Sequence, residues 1–354
     1  MPGVVKEIGS EFESPNPNLL TSPKGLPLPP DAVLVGAGRH ALSLVAFDLL
    51  KQGVDAVVVP DHYCESMIRP FLFAGMSIQF CRTTEELILS GQSLADLLAA
   101  RSENVAVLHC ETFGTPAGHE LQIVLDAASR AGVPIILDRT HSLLSLTQPG
   151  ADYEIASLRK LLPIPDGGYV SGLRNAPDVT KTPEHRFFCD LRLKAAKHKT
   201  VYLQRGTESE LHLDEFARAD LLLESNTQTA LISDQSRTSI SKLDINFIRN
   251  ARLANAGVLE TALHAGNVYV VNPAGWRNSP AYVVITHPDV KSLRAHLTSE
   301  RIYCPIHWPR PANDPRPSSW RENLLSLPID HRYTVDDMQR VVSAVTEFQE
   351  MNTK

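Results

Sequence analysis

The sequence has few cysteines, and no two of them have the spacing of a metal-binding pair. Only 5 of the 354 residues are cysteine, and none of them forms a CxxC arrangement. An odd, scattered set does not fit a disulfide framework, and the lack of close pairs argues against a zinc site. We therefore expect neither disulfides nor a structural metal.

Long apolar runs and a strong charge bias are also missing. No apolar run approaches the roughly 18 residues that a membrane-spanning helix requires. The opening residues, MPGVVKEIGSEFES, lack the charged and then apolar segments of a secretory signal, which predicts a cytoplasmic protein without a membrane partner. A formal net charge of −6 gives no reason to expect a nucleic-acid partner.

What the chain does contain is a regular alternation of short apolar runs and amphipathic segments. VLV, VDAVVVP, SIQFC, VAVLHC and VPIILD have the length of strands, and helical patterns follow most of them. This alternation predicts an α/β fold with a mostly parallel sheet flanked by helices. Pro, Ser and Asn in residues 1–31 favour an extended N-terminal arm, so we expect a large domain over 32–240 and a smaller C-terminal α+β domain over 241–354.

Two successive strands of the expected sheet end near an acid and a lysine. Asp138 ends the buried strand PIILD, and Lys160 follows the strand YEIAS just before a Pro/Asp/Gly turn. Ligands bind outside the carboxyl ends of parallel strands. A lysine and an aspartate are the pair that pyridoxal 5'-phosphate (PLP) requires, because the amine forms a Schiff base and the carboxylate keeps the pyridine nitrogen protonated. A solvated surface lysine is the plain alternative.

The segment GAGRH lies where a strand gives way to a helix. Exposed amides at a helix N-terminus favour a phosphate, so Gly38, Arg39 and His40 are candidate phosphate contacts. Ser157, three residues before Lys160, can add a hydroxyl to the same phosphate. A tight turn alone would also explain the glycines. The phosphate interpretation therefore depends on the nearby lysine.

Three further side chains lie at or just beyond strand ends. Tyr63, in PDHYC, is a candidate to stack on a flat ring, although core packing is the alternative. His109 ends VAVLH, and His141 follows Asp138 at a spacing that can place its imidazole near the ring hydroxyl. Each histidine alone is more often structural than catalytic. Together with the lysine and the phosphate turn, however, the set predicts a PLP site.

The residues leave two other classes of function open. Gly36 and Gly38 in an α/β chain suggest an NAD-dependent dehydrogenase, but GAGRHA lacks the third glycine of GxGxxG. No acid ends the next strand at Val59, although Asp61 comes two residues later. A non-catalytic binding protein of the same fold is disfavoured by Lys160, because loss of the Schiff-base lysine would be its simplest mark.

Several segments resemble the fold type I PLP-dependent enzymes, and among them the DegT-type sugar aminotransferases. GAGRHAL is similar to their phosphate turn, PDHYCESMIRPFLFAG to their stacking-aromatic segment, HCETFGTPA to their His-x-x-Gly-x-Pro loop, and ILDRTHS to the motif that supplies the aspartate. ASLRKLLPIPDGG resembles the segment with the lysine, and YCPIHWP and LSLPIDHRYTVDDM resemble the C-terminal domain. The resemblance covers about residues 33–345, and residues 172–240 match poorly.

The resemblance implies a biosynthetic PLP-dependent aminotransferase. Lys160 would hold the cofactor and act as general base, Asp138 would keep the ring protonated, and His141 would orient the ring hydroxyl. The phosphate would be anchored by Gly38, Arg39 and Ser157. The implied partners are a small-molecule amino donor, a small-molecule acceptor and a second copy of the chain, in a homodimer with shared active sites.

The resemblance leaves the reaction and the substrate contacts open. A PLP-dependent lyase, a replacement enzyme or a carbon–carbon bond-forming enzyme would need the same lysine, the same aspartate and the same phosphate turn. Arg277 and Arg332 are candidates for a substrate carboxylate, because a guanidinium binds carboxylates in a bidentate way. The N-terminal arm, His307 and Trp308 are candidates to reach into the partner's site.

Overall fold

The computed structural model describes residues 6–100, 104–146, 150–205, 210–272, 279–311 and 320–352. The strands, in chain order, are β1 (Ile8–Gly9), β2 (Val33–Val35), β3 (Ala56–Pro60), β4 (Ser77–Cys81), β5 (Val105–Cys110), β6 (Ile135–Asp138), β7 (Tyr153–Ser157), β8 (Gly168–Ser171), β9 (Tyr282–Thr286), β10 (Ile302–Tyr303) and β11 (Leu324–Pro328). The helices are α1 (Gly38–Lys51), α2 (Glu65–Phe73), α3 (Gly91–Ala100), α4 (His119–Arg130), α5 (Pro183–Arg205), α6 (Leu211–Ser225), α7 (Asp234–Ile240), α8 (Ile245–Ala265), α9 (Val290–Ser299) and α10 (Val335–Asn352). None of the helices in these ranges has both the length and the hydropathy that crossing a bilayer demands.

A seven-stranded sheet organises the first half of the chain. Its strand order is β2-β8-β7-β6-β5-β3-β4, and β8 is antiparallel to both of its neighbours, whereas the other pairs are parallel. The predicted α/β fold with a mostly parallel sheet is confirmed. In dinucleotide-binding sheets the strand before the glycine turn lies at the centre. Here that strand, β2, lies at the edge, which does not fit the dehydrogenase alternative.

Both faces of this sheet are buried because its strands are almost wholly apolar. Val57, Val59 and Leu108 pack against α1 and α2 on one face, and Val58 and Val107 pack on the other face in a core that includes residues of α3 and α4. Successive strand residues point to opposite faces, so each strand contributes side chains to the apolar cores on both faces of the sheet. The rigid sheet fixes where the carboxyl ends of β5, β6 and β7 stand.

The C-terminal elements form a smaller α+β layer. Strands β9 and β11 pair antiparallel, and helices α8, α9 and α10 bury their apolar faces on them. The apolar run VYVV at residues 268–271 would suit a strand, but it forms only an isolated bridge between Val270 and Ile285. The described parts of residues 172–240 form helices α5, α6 and α7, and α5 and α6 pack together around Phe188, Leu191 and Leu223. The proposed domain boundaries themselves stay a prediction.

The N-terminal segment, which the sequence predicts to be an extended arm, packs on its own chain. Strand β1 pairs with β10, and Ile8 is fully buried among the C-terminal elements. Arg332 holds the next residues by donating hydrogen bonds to the carbonyl oxygens of Ser10 (3.1 Å) and Glu11 (3.0 Å) and forming an ion pair with Glu13 (2.9 Å). The N-terminal segment is therefore an integral part of the folded chain.

Removing Arg332, which holds the N-terminal segment in place, will destabilise the protein. Burial by itself would raise the pKa of Asp330, but the Arg332 guanidinium, 2.7 Å away, holds that pKa well below its usual range. We expect Arg332→Ala to lower the free energy of unfolding by about 3 kcal/mol at pH 7, because it leaves a buried carboxylate unpaired. Urea unfolding measures this. The loss should shrink as the pH falls below about 4, where Asp330 of the unfolded chain takes up its proton.

The exposed pair of Lys181 and Asp234, also in short contact at 2.6 Å, provides the matched control. Lys181→Ala should cost less than about 1 kcal/mol, because solvent screens an exposed ion pair. Equal losses for the two variants would contradict the role assigned to Arg332.

Candidate active site

A cavity lies at the carboxyl ends of β5, β6 and β7, beside the first turn of α1. Six of the predicted site residues line it: Gly38, Arg39, Asp138, His141, Ser157 and Lys160. Further lining residues are Ala37, Ser66, Met67, Cys110, Glu111, Thr112, Thr140, Arg159 and Trp308. The structure therefore brings the lysine, the aspartate and the glycine turn to one place, which we call the first cavity.

Asp138 presents a buried carboxylate to the first cavity. Burial raises its pKa, and hydrogen bonds from Thr140 together with the nearby charge of Lys160 oppose this effect. The Thr140 N–H donates to Asp138 Oδ1 (2.8 Å), and the Ser157 N–H donates to Thr140 Oγ1 (2.9 Å). This chain of hydrogen bonds fixes the carboxylate at the end of β6. No ion pair to Asp138 is present in the part of the chain that the structure describes.

The first turn of α1 forms an open cup. Ala37, at the N-cap, provides no side-chain hydrogen bond, so the first amides of the helix have no side-chain cap. A Cβ on Gly38 would lie 3.0 Å from Ser157 Cβ, and one on Gly168 would lie 2.7 Å from the backbone carbon of Ala37. These two glycines let the turn approach β7 and β8 closely. The cup has the amide donors and the helix dipole that an anion requires.

A side chain that prevents this close contact between the turn and β8 should weaken phosphate binding. We expect Gly168→Ala to push the Ala37–Gly38 turn away from β8 and to raise the dissociation constant for PLP by about 10-fold or more, the effect of one lost charged hydrogen bond. Fluorescence titration with PLP measures this. Gly118→Ala is the control, because its Cβ meets nothing within 4 Å. A Gly168→Ala variant with unchanged affinity would contradict the cup.

His141 faces the first cavity in its neutral form. Burial, Lys160 and His307 together lower its pKa well below the ordinary value. Its Nδ1 accepts a hydrogen bond from the Phe113 N–H (3.2 Å), so the proton resides on Nε2 and can be donated. The imidazole stacks on Phe113 at 5.4 Å and on Trp308 at 5.8 Å. Packing on both rings holds the donor in one orientation.

Trp308 and His307 contribute to the site of their own chain, which differs from the expectation that they reach into a partner. Trp308 lines the first cavity, and its carbonyl accepts a hydrogen bond from Trp320 Nε1 (3.0 Å). His307 Nδ1 lies 2.8 Å from Ser326 Oγ on β11. The loop is tied to its own small sheet, so it closes the cavity from the same subunit.

Three predicted residues do not line the first cavity. His40 packs under the turn against His185 at 5.5 Å, and Tyr63 packs in the core against Phe80 and Trp320. His109 lies on the other face of β5 from Cys110, because strand residues alternate. Burial lowers the pKa of His109 to about 4, which keeps it neutral in an apolar layer.

Two charged residues of the cavity were missed by sequence reasoning. Arg159 lies 3.6 Å from Asp220 of α6, and burial lowers its pKa. Glu111 accepts a hydrogen bond from the Ser142 hydroxyl, and burial raises its pKa. Arg159 is next to the lysine in sequence, and Glu111 follows the residue that pairs with Asp138 in the sheet. The position next to Lys160 in one case, and next to the partner of Asp138 in the other, could therefore have identified these two residues from the sequence.

A second cavity, of about 490 Å³, begins where the first one ends. Arg159 and Lys160 line both cavities, so the lysine stands at their junction. The other lining residues of the second cavity include Glu11, Phe12, Asp220, Arg252, Tyr282, Arg294, Tyr303, His307, Asp330 and Arg332. The charge of Arg332 is already taken up by Asp330 and Glu13, and the other carboxylate candidate, Arg277, lies outside the described residues.

The similarity of this chain to known proteins lies in its fold. No family model and no curated protein matches this chain. A putative sugar aminotransferase from Streptococcus pneumoniae in its PLP form matches with a TM-score of 0.69 and 13% identity, over 98% of this chain and 99% of that chain. The Helicobacter pylori aminotransferase PseC, involved in pseudoaminic acid biosynthesis, matches with a TM-score of 0.64 and 13% identity, over 97% and 99%.

A DegT/DnrJ/EryC1/StrS aminotransferase from Brucella abortus gives a TM-score of 0.61 at 16% identity, over 90% of this chain and 85% of that chain. The matches thus extend over nearly the whole of both chains. At such identities they concern the fold, which is the one that the sequence motifs predict. This chain has the fold of the DegT-type sugar aminotransferases, fold type I.

Proposed function

We propose that this protein is a PLP-dependent aminotransferase that moves an amino group from a small-molecule donor to a small-molecule acceptor in a biosynthetic reaction. The observation that supports this most is the convergence of Lys160, the buried Asp138 and the open first turn of α1 on one cavity. The aminotransferases among the solved structures of this fold favour the same reaction.

The residues of the first cavity fit the cofactor. The buried carboxylate of Asp138 suits a protonated ring nitrogen, and the turn at Gly38 with Ser157 and Arg159 suits a phosphate. When bound, PLP supplies an electron sink for the charge that develops at the substrate carbon. Lys160 would hold it, and its amine has no ion pair in the described ranges that would compete.

Each side chain has a separate task in the reaction. Lys160, at the junction of the two cavities, would take the proton from the substrate α-carbon and return it to the carbon on the other side of the transferred nitrogen. The Asp138 carboxylate would compensate a positive charge on the ring nitrogen, which would stabilise the transition state electrostatically. His141 would donate its Nε2 proton to the ring hydroxyl and orient the ring, and Trp308, which lines the cavity, would exclude water.

A single-turnover experiment tests amino transfer against the lyase alternative, which no observation favours. Protein loaded with PLP is mixed with each member of a panel of amino acids without an acceptor. An aminotransferase produces keto acid up to one equivalent per site and then stops until an acceptor is added. A lyase or replacement enzyme would continue to release product without an acceptor, and that result would overturn the proposal.

We further propose that the protein acts as a homodimer. Phe47 of α1 and Leu72 and Phe73 of α2 are each more than half exposed, and apolar side chains grouped on neighbouring helices suit an interface. A mass in solution of about twice that of the chain, from light scattering, is the expected result. A cytoplasmic location stays a prediction from the sequence.

A further inference from the structure

We infer that His185, held by the buried Asp166, is a positioning residue that fixes the turn at residues 36–38 for the cofactor phosphate, an inference that rests on the proposed function. His185 lies in the first turn of α5, within the residues 172–240 that resemble the sugar aminotransferases poorly. Neither His185 nor Asp166 lines the first cavity. Their effect on a bound phosphate therefore passes through the backbone of the turn.

The imidazole of His185 occupies the space that a side chain at Gly36 would need. A Cβ built on Gly36 would overlap Nε2 and Cε1 of the imidazole and would lie 3.0 Å from its Cδ2. Gly36 does not have the left-handed backbone that favours glycine. The glycine is thus required by the imidazole and not by its own conformation, and the ring packs directly against the backbone of the turn.

Hydrogen bonds hold the same stretch of backbone from two other directions. The Gly36 N–H donates to the carbonyl oxygen of Ala230 (2.8 Å), and the Gly36 carbonyl accepts from the Gly167 N–H (2.8 Å). The next residue, Ala37, is the N-cap of α1 and provides no side-chain hydrogen bond to the helix. The position of the uncapped amides therefore depends on how the backbone before them is held. Donors that are fixed in advance bind an anion without a cost of reorganisation.

Asp166 in turn fixes the imidazole. Its side chain is fully buried, and one carboxylate oxygen lies 2.8 Å from His185 Nε2. Ser233 donates to it from its N–H (2.8 Å) and its hydroxyl (2.6 Å), and the Ser236 hydroxyl donates as well. Burial by itself would raise the pKa of Asp166, but the hydrogen bonds from His185 and the two serines hold it below its ordinary value. The carboxylate is thus ionised, so His185 Nε2 carries the proton. A fully bonded buried network of this kind is rigid.

The first test compares ligands with and without a phosphate. Fluorescence titrations of wild type and His185→Ala use PLP and pyridoxal, which lacks the phosphate. We expect His185→Ala to raise the dissociation constant for PLP by about 10-fold, the effect of one lost charged hydrogen bond, because the turn can move into the vacated space. The dissociation constant for pyridoxal should not change. His185→Gln, which keeps a nitrogen donor for Asp166, should recover most of the PLP affinity.

His212→Ala on α6 is the matched control, because it removes another buried histidine that does not line the first cavity. Its PLP affinity should equal that of wild type. An equal loss for PLP and pyridoxal in His185→Ala, or the same PLP loss in His212→Ala, would overturn the inference, since either result would indicate general destabilisation.

A double-mutant cycle tests the contact between the imidazole and the turn. Gly36→Ala alone should also weaken PLP binding by about 10-fold, because its methyl group displaces the imidazole. In Gly36→Ala/His185→Ala the methyl group enters the vacated space, so the loss should stay near 10-fold and not reach the roughly 10²-fold of two independent losses. Independent losses would overturn the inference. Circular dichroism checks that each variant is folded, and Gly36→Ala with His185→Gln keeps the test decisive if His185→Ala does not fold.

A third readout separates this inference from the proposed function. Calorimetric titration of the cofactor-free protein with inorganic phosphate needs neither PLP nor amino transfer. Phosphate binding by wild type that is weakened in His185→Ala would support the positioning role even if no amino transfer were found. Phosphate binding that is equal in the two proteins, or absent from both, would overturn it.

Discussion

Lys160→Ala should lower the rate of amino transfer by about 10³-fold or more, since a positioned general base alone contributes on the order of 10²–10⁴-fold. The variant loses both the amine that holds the cofactor and the base that moves the proton. The glycine turn, Ser157 and Asp138 remain in place, because Lys160 has no hydrogen bond to them in the described part of the chain. Initial rates with a saturating donor and acceptor measure the loss.

Lys291→Ala, which removes an exposed lysine on α9, should retain the wild-type rate. Dialysis adds a second comparison, because without its anchoring lysine the Lys160→Ala variant should lose PLP that the wild type retains. A Lys160→Ala variant with more than a tenth of the wild-type rate would show that another group moves the proton.

Asp138→Asn should lower kcat by on the order of 10²–10³-fold, the cost of removing one preorganised electrostatic contact to the reacting group. An amide has nearly the same shape as the carboxylate and still accepts the hydrogen bond from the Thr140 N–H. It cannot compensate a protonated ring nitrogen, however. Steady-state rates measure the loss, and a titration should show that PLP still binds.

Asp126→Asn on the exposed face of α4 is the matched substitution, and its kcat should equal that of wild type. If Asp138→Asn lost no more activity than Asp126→Asn, the carboxylate would have no electrostatic role. The cavity would then need a different cofactor or a different orientation of PLP.

The centre of the site was predictable because it depends on local order along the chain. Asp138 and Ser157 end neighbouring parallel strands, and parallel strands bring their carboxyl ends to one edge. The turn at Gly38 follows a strand and opens a helix, which is a local pattern as well. These residues needed only the correct succession of strands and helices, which the apolar runs indicate.

Other predictions depended on which face of a strand a side chain occupies. The sheet register pairs Cys110 with Asp138, and both line the first cavity. Alternation then directs His109 to the opposite layer. The sequence would have shown that His109 faces away from the cavity only if the register between β5 and β6 had been known.

Contacts between distant parts of the chain were beyond sequence reasoning. Arg252 and Trp308 reach the site from the C-terminal elements, and no local pattern fixes how these elements pack on the sheet. Helix α5 could not be recognised from the sequence for a related reason, because two of its buried residues, Arg192 and Lys199, are charged. They form ion pairs with Glu11 and Glu7 of the N-terminal segment, so the helix shows no clean apolar stripe.

The most direct test of the central claim is chemical mapping of the lysine that holds the cofactor. The protein is incubated with PLP, reduced with borohydride so that the cofactor becomes fixed to its lysine, digested and sequenced by mass spectrometry. We expect one labelled peptide, with the label on Lys160, and no label in Lys160→Ala. A label on another lysine, such as the buried Lys199, or no stoichiometric label at all, would contradict the assignment of this cavity as a PLP site.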